Sequence, residues 1–315
     1  MKILITGGAG FLGQRLARHL LDEYGDFVRL VLADWIATDA FAGDRRVQAV
    51  KCDIADAGEL ARLVTPDTTV IYHLAAIVSG QAEAEFDLGL RINLTATQAL
   101  LELCRPLPAP PRFIFASSMA VFGGAPGDVI TEQTVVQPQS SYGTQKAIGE
   151  MLVNDYSRKG FIDGRALRLP TIVVRPGKPN RAASSFVSGI MREPLSGQDA
   201  LCPVGREVLV AISSPATVVA NLAHVLRIPA AALGAHRTLM LPGLSVSIGE
   251  MIDALRQSAG ADVAARIRFE PDAAVERIVL TWPARLDAAR ALALGCRRDE
   301  NFAAVLRQYR DEARV

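Results

Sequence analysis

The chain opens on a short apolar run, Lys2-Ile3-Leu4-Ile5-Thr6, that leads directly into Gly7-Gly8-Ala9-Gly10-Phe11-Leu12-Gly13 and then into an amphipathic stretch reaching Tyr24. A strand that reverses into a helix within so few residues needs backbone freedom at the turn, which glycine supplies at least steric cost. The G-x-x-G-x-x-G spacing also lets bare backbone approach whatever sits at the helix N-terminus, where unsatisfied N–H groups face an anion. A pyrophosphate suits such a turn, so Gly7, Gly10, Phe11, Leu12 and Gly13 are expected to cradle a dinucleotide. Taken alone, three glycines make a plain tight turn about as often as a binding loop, so the surrounding pattern has to decide.

That pattern is an alternation. β-Branched apolar runs at 2–6, 28–34, 47–53, 70–74, 112–117 and 165–169 alternate with helical patterns at 11–24, 58–63, 87–104 and 141–158. Such alternation predicts βαβ units and hence an α/β fold, a Rossmann-type doubly wound parallel sheet. The proline-rich stretch 106–111 reads as a loop between elements. After Pro170 prolines and glycines become frequent, with short elements between them, and a smaller, mixed C-terminal substrate domain is expected over 171–315. Within it, 207–242 is expected to return to the main sheet of the 1–170 domain through strands at 208–212 and 238–241, so the two domains interleave.

The 315 residues carry 34 Lys+Arg against 33 Asp+Glu, a formal net charge of +1. Such a balance exerts no general pull on nucleic acid or anionic lipid, and a small molecule recognised at a local site is the expected partner. Cys52, Cys104, Cys202 and Cys296 are scattered without a C-x-x-C pair, which argues against a zinc site or a disulfide framework; free thiols in a reducing cytoplasm and no bound metal are expected. The N-terminal apolar run is too short for a signal segment, and no stretch approaches the length of a membrane span.

Asp34 ends the second run about 20 residues after the last glycine, where an acid accepts hydrogen bonds from ribose hydroxyls and repels a 2′-phosphate, favouring NAD over NADP. Asp53-Ile54 and Leu74-Ala75-Ala76 end the next two runs, at the sheet edge where ligands bind in open α/β folds. Further on, Tyr142 and Lys146 stand one helical turn apart and so share a face. An ammonium beside a phenol favours the phenolate, which makes the tyrosine a general base closer to neutral pH. Ser118, at the end of the preceding strand, offers a hydroxyl at the same edge. Each of these also has a plainer reading, as a strand-end cap or a solvated helix face.

In this order the residues Gly7, Gly10, Gly13, Asp34, Asp53-Ile54, His73-Leu74-Ala75-Ala76, Ser117-Ser118 and Tyr142-x-x-x-Lys146 resemble the extended short-chain dehydrogenase/reductases, the family of nucleotide-sugar epimerases and dehydratases. The resemblance implies bound NAD, a catalytic set of Ser118, Tyr142 and Lys146, and Asn93 as the helix asparagine that supports the active site through a water. It also places Asn93, Tyr142, Lys146 and Pro170 beside the cofactor. The segments at 77–81, 138–150 and 169–180 depart from the nucleotide-sugar enzymes and resemble a branch that oxidises a four-carbon sugar acid at C2 with NAD. On that reading Ser79, Gln81, Ser118, Tyr142 and Thr171 meet the substrate, and Arg175, Lys178 or Arg181 holds its carboxylate, for which a bidentate guanidinium is best suited. His73 is an alternative base, but its position at a strand end reads as a packed histidine. A nucleotide-sugar 4-epimerase or dehydratase that retains its NAD, or a non-catalytic NAD-binding sensor, are the competing functions. A homodimer through the helices at 87–104 and 141–158 is expected from related enzymes.

Overall fold

The computed structural model describes residues 1–124, 129–177 and 184–313. The chain divides into two compact units: residues 1–121, 140–168 and 219–240 form the first, and 122–139, 169–218 and 241–315 the second.

In the first unit the opening elements are β1 (Lys2–Thr6), α1 (Phe11–Tyr24), β2 (Arg29–Asp34), β3 (Val47–Lys51), α2 (Ala57–Ala61) and β4 (Thr68–His73). Then come α3 (Ser79–Ala84), α4 (Phe86–Gly89), a π-helical segment Leu90–Thr95, α5 (Ala96–Cys104), β5 (Arg112–Ser118), α6 (Ser141–Arg158) and β6 (Asp163–Leu169). A single seven-stranded sheet results, in the order β10-β6-β5-β4-β1-β2-β3, with β10 at Thr238–Met240. β1 pairs in parallel with β2 on one side and β4 on the other. Its Ile3, Leu4 and Ile5 are fully buried, as a run without polar alternation requires when helices cover both faces. α1 buries Leu16, Ala17, Leu20 and Leu21, a stripe of helical period, and each such leucine contributes about 1.5–3 kcal/mol of transfer free energy.

α6 is drawn onto β5 by the absence of a side chain at Gly149, where a Cβ would lie 2.6 Å from the Phe115 ring. It is also held by a buried ionic knot. The Glu150 carboxylate accepts from Arg168 Nη2 at 2.7 Å on β6 and from Ser117 Oγ at 2.5 Å on β5. Every partner is satisfied, the condition under which a buried ion pair is tolerated.

The second unit contains β7 (Thr171–Ile172), α7 (Ser185–Leu195), β8 (Ala200–Cys202), β9 (Leu209–Ser213), β11 (Leu244–Ser247), α8 (Ile248–Ala259) and β12 (Ile267–Phe269). A three-stranded sheet runs β11-β9-β7, and β8 pairs in parallel with β12. Its own core includes Val187, Ile190, Val210, Ile212, Met251, Leu255 and Leu306. The α/β expectation therefore holds, with one correction. Of the two strands expected to return to the main sheet, only 238–240 does so, by pairing with β6. β9 is instead the middle strand of the small mixed sheet, antiparallel to β11 and parallel to β7. A strand buried on both faces reads the same in either sheet, so its apolar run carried no information about its partner.

Candidate active site

The glycine turn is dictated by close backbone approach. Gly7 has φ +74, and a Cβ there would lie 2.8 Å from the Ala75 nitrogen, so the turn lies against the chain leaving β4. A Cβ on Gly13 would strike the Gly7 carbonyl oxygen and lie 2.8 Å from the Gly8 Cα. Gly10 is the N-cap of α1, whose first turn carries no acid and no side-chain cap. Phe11 and Leu12 begin that helix, so its first N–H groups and the positive end of its dipole face the turn. The Ala9 N–H donates to Asp34 Oδ2 at 3.0 Å, which fixes the carboxylate beside the loop. A carboxylate accepts several hydrogen bonds, so capacity remains for ribose hydroxyls. These features fit a bound dinucleotide. Asp53, just past β3, also does structural work: its Oδ1 accepts from the Ala55 N–H at 3.0 Å, and the adjoining Ile54 is buried. Leu74 and Ala75 leave β4 with N–H bonds to the Thr6 carbonyl and hydroxyl.

Ser140 caps α6 by accepting from the Gly143 N–H at 3.1 Å, so Tyr142 and Lys146 sit in the first two turns. Lys146 is almost wholly buried, its Nζ 4.7 Å above the Phe115 ring centroid and 5.7 Å from that of Tyr142. Burial pulls its ammonium down to about 7, and the Glu150 charge opposes that shift. Ser118 closes β5, on which α6 packs, and its Oγ accepts from the Ala120 N–H at 3.1 Å.

Asn93 lies in the π-helical segment rather than in the continuous helix expected over 87–104. Its Oδ1 accepts from the Ile77 N–H at 2.8 Å, and its Nδ2 donates to the Ile77 carbonyl at 3.0 Å and to Gln145 Oε1 at 2.8 Å. The side chain thus engages both backbone groups of a single residue, Ile77. His73 is the packed histidine its strand-end position suggested. Its Nδ1 is 2.7 Å from Thr6 Oγ1 and its Nε2 is 2.8 Å from Thr97 Oγ1. Because Thr97 donates to the Asn93 carbonyl, its hydroxyl accepts from Nε2–H, and Nδ1 accepts from Thr6. Burial, aided by the Lys146 charge, presses His73 down to about 3, so it stays neutral and both nitrogens are engaged.

Ser79 begins α3, and Gln81 donates to Glu85 Oε1 at 3.2 Å. α3 meets the head of α6 through Glu83, which accepts from the Ser141 N–H at 2.9 Å. Pro170, Thr171 and Arg175 belong to the second unit. There the Arg175 N–H donates to Ser188 Oγ at 3.1 Å and its carbonyl accepts from Arg192 Nη1 at 2.9 Å, so one face of α7 fixes its backbone. Lys178 and Arg181 lie outside the described residues. The residues that sequence reasoning missed are Gln145, Glu150 and Arg168. Of these only Glu150 carried a signal, being one turn beyond Lys146 on the Tyr142 face.

Comparison with known proteins agrees with this geometry. Residues 3–210 match the NAD dependent epimerase/dehydratase family. The chain is 53% identical to a D-erythronate dehydrogenase of Cupriavidus necator, covering 99% of each chain, and 49% identical to one of Haemophilus influenzae, covering 98% of each. A solved structure described as a nucleoside-diphosphate-sugar epimerase from Agrobacterium tumefaciens superposes with a TM-score of 0.94 at 41% identity, covering 99% of this chain and 94% of that one.

Proposed function

The chain belongs to the NAD dependent epimerase/dehydratase family, and on that premise we propose that it oxidises the C2 hydroxyl of D-erythronate to give 2-oxo-D-erythronate. Identity of 53% and 49% over nearly the full length of two D-erythronate dehydrogenases carries the substrate assignment. NAD, when bound, supplies the acceptor for the C2 hydride. The chain's own residues do the rest. Ser118 orients the C2 oxygen with its hydroxyl, and Tyr142 takes the hydroxyl proton onto its phenolate oxygen. Lys146 one turn away favours that phenolate. Arg175, on a backbone clamped by Ser188 and Arg192, holds the carboxylate, with Lys178 as a second cation and Thr171, Ser79 and Gln81 meeting the remaining hydroxyls. Asn93 shapes the cofactor side by fixing Ile77 just after Leu74-Ala75-Ala76, and the family resemblance assigns Pro170 to the cofactor as well.

The test is the absorbance of reduced nicotinamide after mixing the protein with NAD and D-erythronate, L-threonate, D-threonate or UDP-glucose. Release of NADH with D-erythronate is expected. Silence with every acid, with UDP-glucose turned over and no NADH set free, would favour an epimerase instead, the reading that the Agrobacterium tumefaciens likeness would then carry.

Asp34 sets the cofactor preference. Replacing it by Ser removes the charge that repels a 2′-phosphate, so the NADP/NAD ratio of kcat/KM is expected to rise about tenfold or more, some 1.4 kcal/mol of selectivity; steady-state kinetics with both cofactors checks it.

We also infer a homodimer in the cytoplasm. Phe86, Leu90, Ile148 and Met151 are exposed apolar side chains on packed neighbours, α4, the π-helical segment and α6, and such a grouping is suited to a partner surface. All four cysteines are buried free thiols, which suits a reducing compartment. Among the described residues no helix is long and apolar enough to cross a membrane.

A further inference from the structure

Gln145 stands between Tyr142 and Lys146 in the chain, yet it turns to the interior of the first unit and is only 2% exposed. Its Oε1 accepts from Asn93 Nδ2 at 2.8 Å, whereas its Nε2 is buried with no hydrogen-bond partner among the described residues. The Nε2 lies against α4, 3.0 Å from where a Cβ on Gly89 would stand.

The orientation of this amide is forced. The Ile77 N–H requires Asn93 Oδ1 and the Ile77 carbonyl requires Asn93 Nδ2, so Asn93 can present only a donor to Gln145. Gln145 must then point Oε1 at Asn93 and leave Nε2 without a mate. An unmade buried donor costs about 1–3 kcal/mol, more than one accepted hydrogen bond returns. A residue kept for stability would avoid this arrangement. What the arrangement achieves is a rigid line from the helix bearing Tyr142 and Lys146, through Asn93, to the Ile77 peptide, and from there within two residues to Ser79 and α3. Glu83 makes the second tie between α3 and α6, but at an exposed carboxylate.

We propose that Gln145 is a positioning residue for the oxidation: acting through Asn93, it holds the Ile77 peptide, and with it the Ser79–Gln81 turn, in register with the Tyr142–Lys146 face. The proposal rests on the substrate reading above, in which Ser79 and Gln81 meet the sugar-acid hydroxyls.

The test uses the full-length protein with Gln145→Met, which keeps the side chain's length and removes both hydrogen-bonding groups. KM for D-erythronate is expected to rise about tenfold, within the range of coupling seen between residues of one network. The NAD dissociation constant should stay within about twofold and the melting temperature should change little, because loss of the unpaired Gln145 donor offsets the Asn93 Nδ2 hydrogen that loses its acceptor. Gln145→Glu, which burial keeps protonated, still offers an oxygen to Asn93 and is expected to restore most of the lost KM. An unchanged KM in Gln145→Met overturns the proposal. So does a fall in melting temperature accompanied by equal losses in NAD binding and turnover, which would mark a structural role. Hydrogen exchange gives a readout independent of substrate: the Ile77 amide should exchange faster in Gln145→Met while β1 stays unaffected. Wild-type protein inactive on D-erythronate would remove the substrate reading alone; unaltered Ile77 exchange would remove the role of Gln145.

Discussion

A Tyr142→Phe variant is expected to bind NAD as the wild type does and to form NADH from D-erythronate about 10²- to 10⁴-fold more slowly, the usual contribution of a positioned general base. The substitution deletes one oxygen and leaves the ring, so the stacking of Lys146 Nζ 5.7 Å from the ring centroid persists. α6 keeps its Ser140 cap and its close contact with Phe115 through Gly149, and the glycine turn beside Asp34 lies on other elements. Binding and chemistry are thereby separated: quenching of tryptophan fluorescence by NAD measures the first, and NADH absorbance the second. Turnover near the wild-type rate would show that the proton leaves by another route. His73 would not be that route, because both its nitrogens are bound to threonines and its imidazole titrates far below neutrality.

The parts legible in the sequence are those whose chemistry is local. The glycine spacing announced a strand-turn-helix because Gly7 and Gly13 have no room for a Cβ against Ala75 and the Gly7 carbonyl. Tyr142 and Lys146 announced themselves because helical spacing alone puts them on one face. Less legible were features created by tertiary contact. The run at 208–212 was rightly expected to be a strand, but which sheet received it depended on pairing with β7 and β11. The turn of π-helix at Leu90–Thr95 leaves no mark in hydrophobic period, since it is fixed by Asn93 reading the Ile77 peptide from a different element. Gln145 was invisible for the same reason: a glutamine in a helix pattern reads as solvated until the fold places Asn93 opposite it. Glu150 shows the intermediate case, with its face legible from the spacing but not Arg168 and Ser117, which come to it from two strands.

Lys146 sets stability against function in the first unit. Its ammonium has been taken out of water with Phe115, Tyr142, neutral His73 and Glu150 around it, and Glu150 is already committed to Arg168 and Ser117. Burial therefore lowers it from the ordinary lysine value of 10.5 to about 7. The unfolded chain holds that proton more tightly than the folded one, so between pH 7 and 10.5 unfolding takes up a proton and stability rises with pH. Below pH 7 both states are charged and the full penalty is present, on the order of 4–5 kcal/mol at 1.36 kcal/mol per decade. Lys146→Met keeps the length of the stem and removes the charge, and Glu150 is not orphaned because Arg168 remains. The NAD-free variant is accordingly expected to melt about 5 °C or more above the wild type at pH 6, with the gap closing as the pH approaches 10, while NADH formation is lost. Scanning calorimetry at the two pH values, beside a turnover assay, checks both halves. A variant that melts lower than the wild type at pH 6 would mean that the ring faces and Glu150 repay the buried charge in full, and that Lys146 holds the fold as well as favouring the phenolate. A gap that narrows with rising pH, together with lost turnover, would instead show that the fold bears an unfavourable charge because the phenolate of Tyr142 requires it.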